Sequence, residues 1–182
     1  MSGSAVSTPS TERAKLVEVE GLSVSFGSHG KRVVDGVSWS LRRGECLALV
    51  GESGCGKSVT ARTLVGLAGY GARVDAQRLR LAGQDISKLD ARAWQGIRGK
   101  RVGFIMQDAL GSLDPLRTVG REVEEPLKVH TSLGKAERQA KVLALLQAVG
   151  IPDPAVRALQ RPYQLSGGLR QRALIASAIA CE

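Results

Sequence analysis

Cys46-Leu-Ala-Leu-Val-Gly51-Glu-Ser-Gly-Cys-Gly-Lys57-Ser58 decides how this chain is read. The run Cys46–Val50 is apolar without alternation, which predicts a strand buried on both faces. The eight residues after it match G-x-x-x-x-G-K-[ST], the phosphate-binding P-loop. Its glycines let backbone N–H groups turn inward around phosphate oxygens. A helix expected over Lys57–Leu67, ended by Gly66, Gly69 and Gly71, directs its positive N-terminal end at the same place. Lys57 is placed to reach the β- and γ-phosphates, and the Ser58 hydroxyl to ligate magnesium. The alternative is a glycine-rich loop that binds nothing. The strand before the loop and the helix after it argue against that.

Upstream, Val17–Phe26 alternates, with Val17, Val19, Val24 and Phe26 on a strand pattern broken at Gly21. Val33–Leu41 alternates again, with Val37, Trp39 and Leu41 on one face. Period two predicts antiparallel strands with one wet face, joined by a turn at Gly27–Gly30. Downstream, Arg78–Leu81 and Gly83–Ile86 read as strand and turn, and Asp90–Ile97 as a short helix. Val102–Met106 reads as a second buried strand ending at Gln107. Helices are then expected over Val119–Leu127, Lys135–Val149 and Leu169–Cys181. Pro152, Pro154 and Pro162 punctuate the stretch between the last two. Ala173–Ala180 has the apolar character of a core helix, yet no following segment is there to cover it.

The chain has 182 residues, 43% of them apolar, which excludes a disordered polymer. Aromatics are 3%, so the core must rest on Leu, Val, Ile and Ala. The 22 glycines show no Gly-X-Y period, which excludes collagen. No apolar run is long enough to cross a bilayer. The polar N-terminus, residues 1–13, lacks the apolar segment of a signal peptide and reads as a flexible tail. Three cysteines without paired spacing, Cys46, Cys55 and Cys181, suit a reducing compartment. His29 and His130 are isolated, so no metal cluster can be drawn. The net charge of +9 is spread along the chain without a basic block or interleaved aromatics, and reads chiefly as a solvated surface.

A second signal is Leu165-Ser-Gly-Gly-Leu-Arg-Gln-Arg172. Ser166 is a good N-cap, and the paired glycines leave backbone N–H groups open at a helix start. Taken alone, the segment reads equally well as another anion site or as an ordinary capped helix.

Together these motifs resemble, in order and spacing, an ABC transporter ATPase. Leu165-Ser-Gly-Gly-Leu169 is similar to the family's signature LSGGQ, with Leu169 in place of Gln and Arg170-Gln171-Arg172 following as in the family. Gln107 resembles the Q-loop glutamine, which the resemblance implies contacts magnesium and couples to membrane subunits. Phe26 falls where the family places an aromatic that stacks on adenine; a core Phe on a strand is the alternative. Ile105–Pro115 resembles the "FQDPxxSLNP" run of the oligopeptide/dipeptide importer branch, with Asp114 where Asn is commoner.

The resemblance implies an α/β fold: a P-loop NTPase core with mixed sheet, an antiparallel β-subdomain and a helical subdomain. The organisation it suggests is a tail over 1–13, an ATP-binding core over 14–107, a helical subdomain over 108–165, and the signature with its helix over 166–182. It implies ATP and Mg2+ as ligands. ATP would touch Phe26, Gly51, Glu52, Ser53, Gly54, Cys55, Gly56, Lys57, Ser58 and Gln107, and Mg2+ would touch Ser58 and Gln107. Leu165, Ser166, Gly167, Gly168, Leu169, Arg170 and Gln171 would face the ATP of a second subunit in a head-to-tail dimer. Further partners would be membrane-spanning permease subunits, met by Gln107 and Val119–Leu127, and indirectly an extracytoplasmic solute-binding protein. The location would be the cytoplasmic face of the cell membrane.

The family's second strand ending in Asp-Glu, its catalytic glutamate and its switch histidine have no counterpart in these residues. Glu182 comes too early and His130 lies before the signature. ATP binding is therefore expected without a catalytic residue of the chain's own. Central strands lacking a neighbour would leave apolar surface open, so poor stability is expected. The alternative function is a soluble ABC-type ATPase acting on nucleic acid, supported by charge alone. A P-loop kinase or GTPase has no use for the second anion-ready helix start.

Overall fold

The computed structural model describes residues 14–27, 30–106 and 109–182. Gln107, His29 and the expected tail lie outside them. The chain divides into two compact units, Met1–Leu89 and Asp90–Glu182.

The first unit is organised by β1 (Lys15–Phe26). It pairs antiparallel along its length with β2 (Lys31–Arg42). After α1 (Lys57–Thr63) come β3 (Ala72–Asp75), β4 (Arg78–Leu81) and β5 (Gln84–Asp85). The sheet order is β2-β1-β4-β5, with β3 also on β1. Val17 and Val19 face Leu81 and Leu79, and Val24 lies between Val34 and Val74. The burial phase changes between Val19 and Leu22, where the ladder with β2 shifts register. The break expected at Gly21 is this bulge. The Gly21 N–H, lost to the ladder, donates to Ser38 Oγ at 2.8 Å.

Two expected strands do not form. Residues 46–50 and 102–106 carry no strand, and Val50 is 90% exposed. Among the described residues the only pairing they show is the isolated Arg98–Val102 bridge. Apolar composition supplies a wish for burial but no ladder, and a strand exists only through a neighbour that takes its N–H and C=O groups. The expected helix to Leu67 also closes early, at Thr63, where the Leu67 N–H donates to the Arg62 carbonyl at 2.8 Å. β3 was not anticipated; four residues with Asp at one end give too weak a period.

The second unit is helical. α2 (Ala91–Gln95) is capped by Asp90, whose Oδ1 accepts the Ala93 N–H at 2.8 Å. After it come α3 (Ala109–Ser112), α4 (Val119–His130), α5 (Lys135–Ala148), α6 (Pro154–Leu159), a 3-10 turn (Pro162–Gln164) and α7 (Gly167–Ala178). α3 and α6 are not expected from the sequence; Pro154, a punctuation mark by sequence, opens α6, because Pro is favoured at a first helical position. α4 runs past Leu127 with Pro126 inside it. Proline cannot donate to the Glu122 carbonyl four residues back. Ser177 Oγ of α7 donates to that carbonyl instead, at 3.3 Å, so the helix continues.

The core is Leu, Val and Ala, as the low aromatic content requires. Val119, Val123 and Leu127 of α4 meet Val142 and Leu146 of α5 and Ala173, Ala176 and Ala180 of α7 and its end. The expectation that Ala173–Ala180 lies uncovered is thus wrong. α7 packs on α3, α4 and α5, and its alanines let the helices approach closely. Replacing Leu127 with Ala should cost about 2–5 kcal/mol through lost burial and the cavity left behind. Leu159→Ala, at a side chain 78% exposed, should stay within about 0.5 kcal/mol. Urea denaturation of the two variants against the parent checks both.

Arg117 clasps the start of α4, with Nη2 on Glu125 at 2.6 Å and Nε 3.1 Å from Glu122 Oε1. The second contact is an ion pair without an aligned hydrogen bond. The two carboxyls respond in opposite ways. Burial pushes Glu122 above the ordinary carboxylate value, against the pull of Arg117. The Arg117 hydrogen bond holds Glu125 below it. A raised carboxyl contributes stability that is full below its unfolded value and is lost as pH rises through the folded one. Glu125 works the other way, but its side chain is 45% exposed and solvent screens it. Glu122→Gln should therefore melt higher than the parent at pH 7. The gap should close as pH falls through the carboxylate range. Melting temperatures between pH 4 and pH 7 test the sign.

Candidate phosphate-binding and signature sites

The P-loop ends where the first unit's sheet gives it an anchor. Gly56 is the N-cap of α1 with φ +93°, and a Cβ there would stand 2.6 Å from the Val33 carbonyl oxygen of β2. Only glycine suits both the left-handed backbone and that approach. Thr60, buried one turn into α1, donates its hydroxyl to the Gly56 carbonyl at 3.0 Å. Sequence reasoning did not single out Thr60; the only signal was its spacing of four from Gly56.

Residues 51–55 are exposed, so the loop's backbone is open to a ligand. Lys57 is half-buried, and its Nζ donates to the carbonyls of Gly51 at 2.7 Å and Glu52 at 2.6 Å. Cys55 Sγ lies 3.5 Å from the same ammonium. An ammonium has three donors. Two hold the loop's first carbonyls, which keeps the positive charge on the loop. Ser58 is exposed beside Lys57. Among the described residues no group of three or more His, Cys, Asp and Glu could hold a metal. A hydroxyl such as that of Ser58 would share a hard cation with phosphate oxygens.

Phe26 closes β1, half-buried, with its ring edge against Gly69; a Cβ on Gly69 would lie 3.3 Å from it. That contact fits a ring held on the sheet's end. Gln107 lies outside the described residues. The P-loop and Phe26 belong to the first unit and Leu165–Gln171 to the second.

In the second unit Ser166 caps α7, its Oγ accepting the Leu169 N–H at 3.4 Å. Ser166, Gly167 and Gly168 are exposed, while Leu165 is buried in the core. A Cβ built on either glycine would meet nothing within 4 Å. Each glycine weakens a helix by about 1 kcal/mol relative to Ala. Nothing in the chain's own packing asks for them, so the space above them is open to a ligand or a second molecule. Leu169 and Arg170 are half-buried, and Gln171 is exposed.

Comparison with known proteins agrees with these features. The family model described as ABC transporter matches residues 34–182. The chain is 44% identical over 168 residues to the dipeptide transport ATP-binding protein DppD of Escherichia coli, covering 91% of this chain and 51% of that protein. It is 40% identical over 172 residues to the oligopeptide transport ATP-binding protein OppD of Bacillus subtilis, covering 91% and 47%. The chain thus spans about half the length of the curated relatives it matches. Among solved structures, the dimeric ATP-binding cassette MJ0796 in a post-hydrolysis state bound to ADP and Pi matches with TM-score 0.77 and 26% identity, covering 91% of this chain and 69% of that one. The α/β fold of an ABC ATPase cassette stands, even though two of its expected strands do not form here. With phosphate loop and signature both present in that order, the chain belongs to the ABC transporter family.

Proposed function

We propose that this chain is the part of an ATP-binding subunit that carries the P-loop and the signature. The whole protein couples ATP binding and hydrolysis to import of peptides or a related small solute. The observation that carries the reading is the Gly51–Ser58 loop, exposed on the chain and held in shape by Lys57, Gly56 and Thr60. Backbone N–H groups of the loop would cradle the β-phosphate, the Lys57 ammonium, which donates to Gly51, Glu52 and Cys55 Sγ, would turn toward the phosphates, and Phe26 would support the base. Mg2+ would be held by Ser58 and Gln107, and its chemistry is to neutralise charge on the β- and γ-phosphates. No residue of this chain is assigned the orienting of the attacking water.

The open turn Ser166–Gly168 supports a head-to-tail pairing in which each signature faces its partner's nucleotide. That would add N–H donors and a helix N-terminal charge to the γ-phosphate. Permease subunits would meet the second unit. Val119, Val123 and Leu127 are buried, so α4 would offer Arg121, Glu124, Glu125 and Lys128. With α5 and α6 these line a groove of about 760 Å³. Among the described residues no helix is long and apolar enough to cross a membrane. The reading places attachment on the cytoplasmic face, through those permease subunits. A solute-binding protein would act only indirectly. The subdivision proposed is a core over 14–107, a helical subdomain over 108–165 and the signature helix after it. The nucleic-acid reading draws no support from the comparisons.

Lys57→Ala removes a charge-assisted contact of about 1.5–3 kcal/mol, so ATP affinity should fall roughly ten- to a hundredfold. Titration with a fluorescent ATP analogue measures it, and unchanged affinity would refute the reading. Gly56→Ala should abolish binding outright, with the melting temperature lowered, because the new methyl group displaces the loop from β2. Retained affinity in that variant would mean the loop geometry is not what binds.

A further inference from the structure

The first turn of α7 holds two kinds of residue. Ser166, Gly167 and Gly168 are exposed, with free space above both glycines. The next two residues point their chemistry elsewhere. Leu169 packs against the apolar cluster of α4, α5 and α7. Arg170 Nε donates to the Pro162 carbonyl at 2.6 Å, and its Nη2 to the Tyr163 carbonyl at 3.4 Å. One turn on, Arg172 Nη1 donates to the Gly150 carbonyl.

We propose that Leu169 and Arg170 are positioning residues: they fix the Ser166–Gly168 turn from the core side and from the preceding 3-10 turn, and touch no nucleotide themselves. The inference rests on the assignment of that turn to a partner's ATP. The physical reason is that a capped helix start presents donors usefully only if its axis and rotation are set. Two glycines cannot set them, having no side chains to pack. Leu169, half-buried, does so by packing against the apolar cluster, and its N–H is also the one that Ser166 Oγ caps at 3.4 Å, so anchor and cap meet at one residue. Arg170 does so by binding carbonyls of the segment that leads into Leu165. A glutamine at 169, commoner in this motif, would set an amide against the apolar cluster in this chain.

The test uses Leu169→Gln, Leu169→Met and Arg170→Ala with two readouts. The first is amide hydrogen exchange along α4, α5 and α7 in the chain without nucleotide. The second is kcat and KM for ATP in the intact ATPase carrying each substitution. Leu169→Gln and Arg170→Ala should each lose tenfold or more of protection at the Leu169 and Arg170 amides, with α4 and α5 unchanged. They should lower kcat at least fivefold with KM within twofold, and Leu169→Met should restore both. Protection lost evenly over α4 and α5 would overturn the proposal by showing a general structural role. A raised KM at unchanged kcat would overturn it by showing a ligand role, and unchanged kcat and KM would overturn it outright. If Lys57→Ala leaves ATP binding intact, the ATP reading fails instead. The exchange profile, which needs no nucleotide, still decides whether the two residues hold the turn.

Discussion

The approach of Gly56 to the Val33 carbonyl, where a methyl group would stand 2.6 Å from the oxygen, ties the phosphate loop to the sheet. Of its own N–H groups the loop uses that of Cys55, on the Glu52 carbonyl at 3.4 Å, and for the rest it is held through other atoms. β2 sets the loop's end, buried Thr60 takes the Gly56 carbonyl, and Lys57 takes those of Gly51 and Glu52. β2 in turn is placed by β1, the strand that pairs with three others. Ladder, glycine and ammonium are successive steps of one construction, and the binding geometry is its last product.

The signature turn is held by different means. It follows a helical core built from small and branched side chains, where Ala173, Ala176 and Ala180 permit close packing. Its fixed points are a half-buried leucine packed against that core and an arginine on backbone carbonyls. This use of arginine bears on the basic composition. Arg78 pairs with Glu20, Arg117 with Glu122 and Glu125, and Arg138 with Glu124. Arg170 and Arg172 bind carbonyls. These five arginines serve the fold itself, through carboxylates and backbone carbonyls.

Several elements were legible because their cause is local. The Gly21 break in β1 shows as a change of period, and the short helix expected over Asp90–Ile97 forms as Ala91–Gln95, with Asp90 as its cap. The seams of α4 and α5 recur at three and four residues, as Val119, Val123 and Leu127 do. The errors arose where a distant partner decides. The helix expected to stop at Leu127 runs on to His130, and Ser177, far along the chain, takes the Glu122 carbonyl that Pro126 leaves unpaired. The run 46–50 reads as a buried strand, yet no neighbour among the described residues completes it.

By itself the sequence determined the phosphate loop, the signature, their order and the helical character of the second half. Glycine spacing, cap residues and hydrophobic period act over a few residues and need no fold to be read. Only the tertiary structure decided which signature residues are open and which are anchors. It also decided whether α7 is covered and whether an apolar run becomes a strand. Burial and ladder pairing are properties of what lies alongside, and residues far apart in the chain supply it.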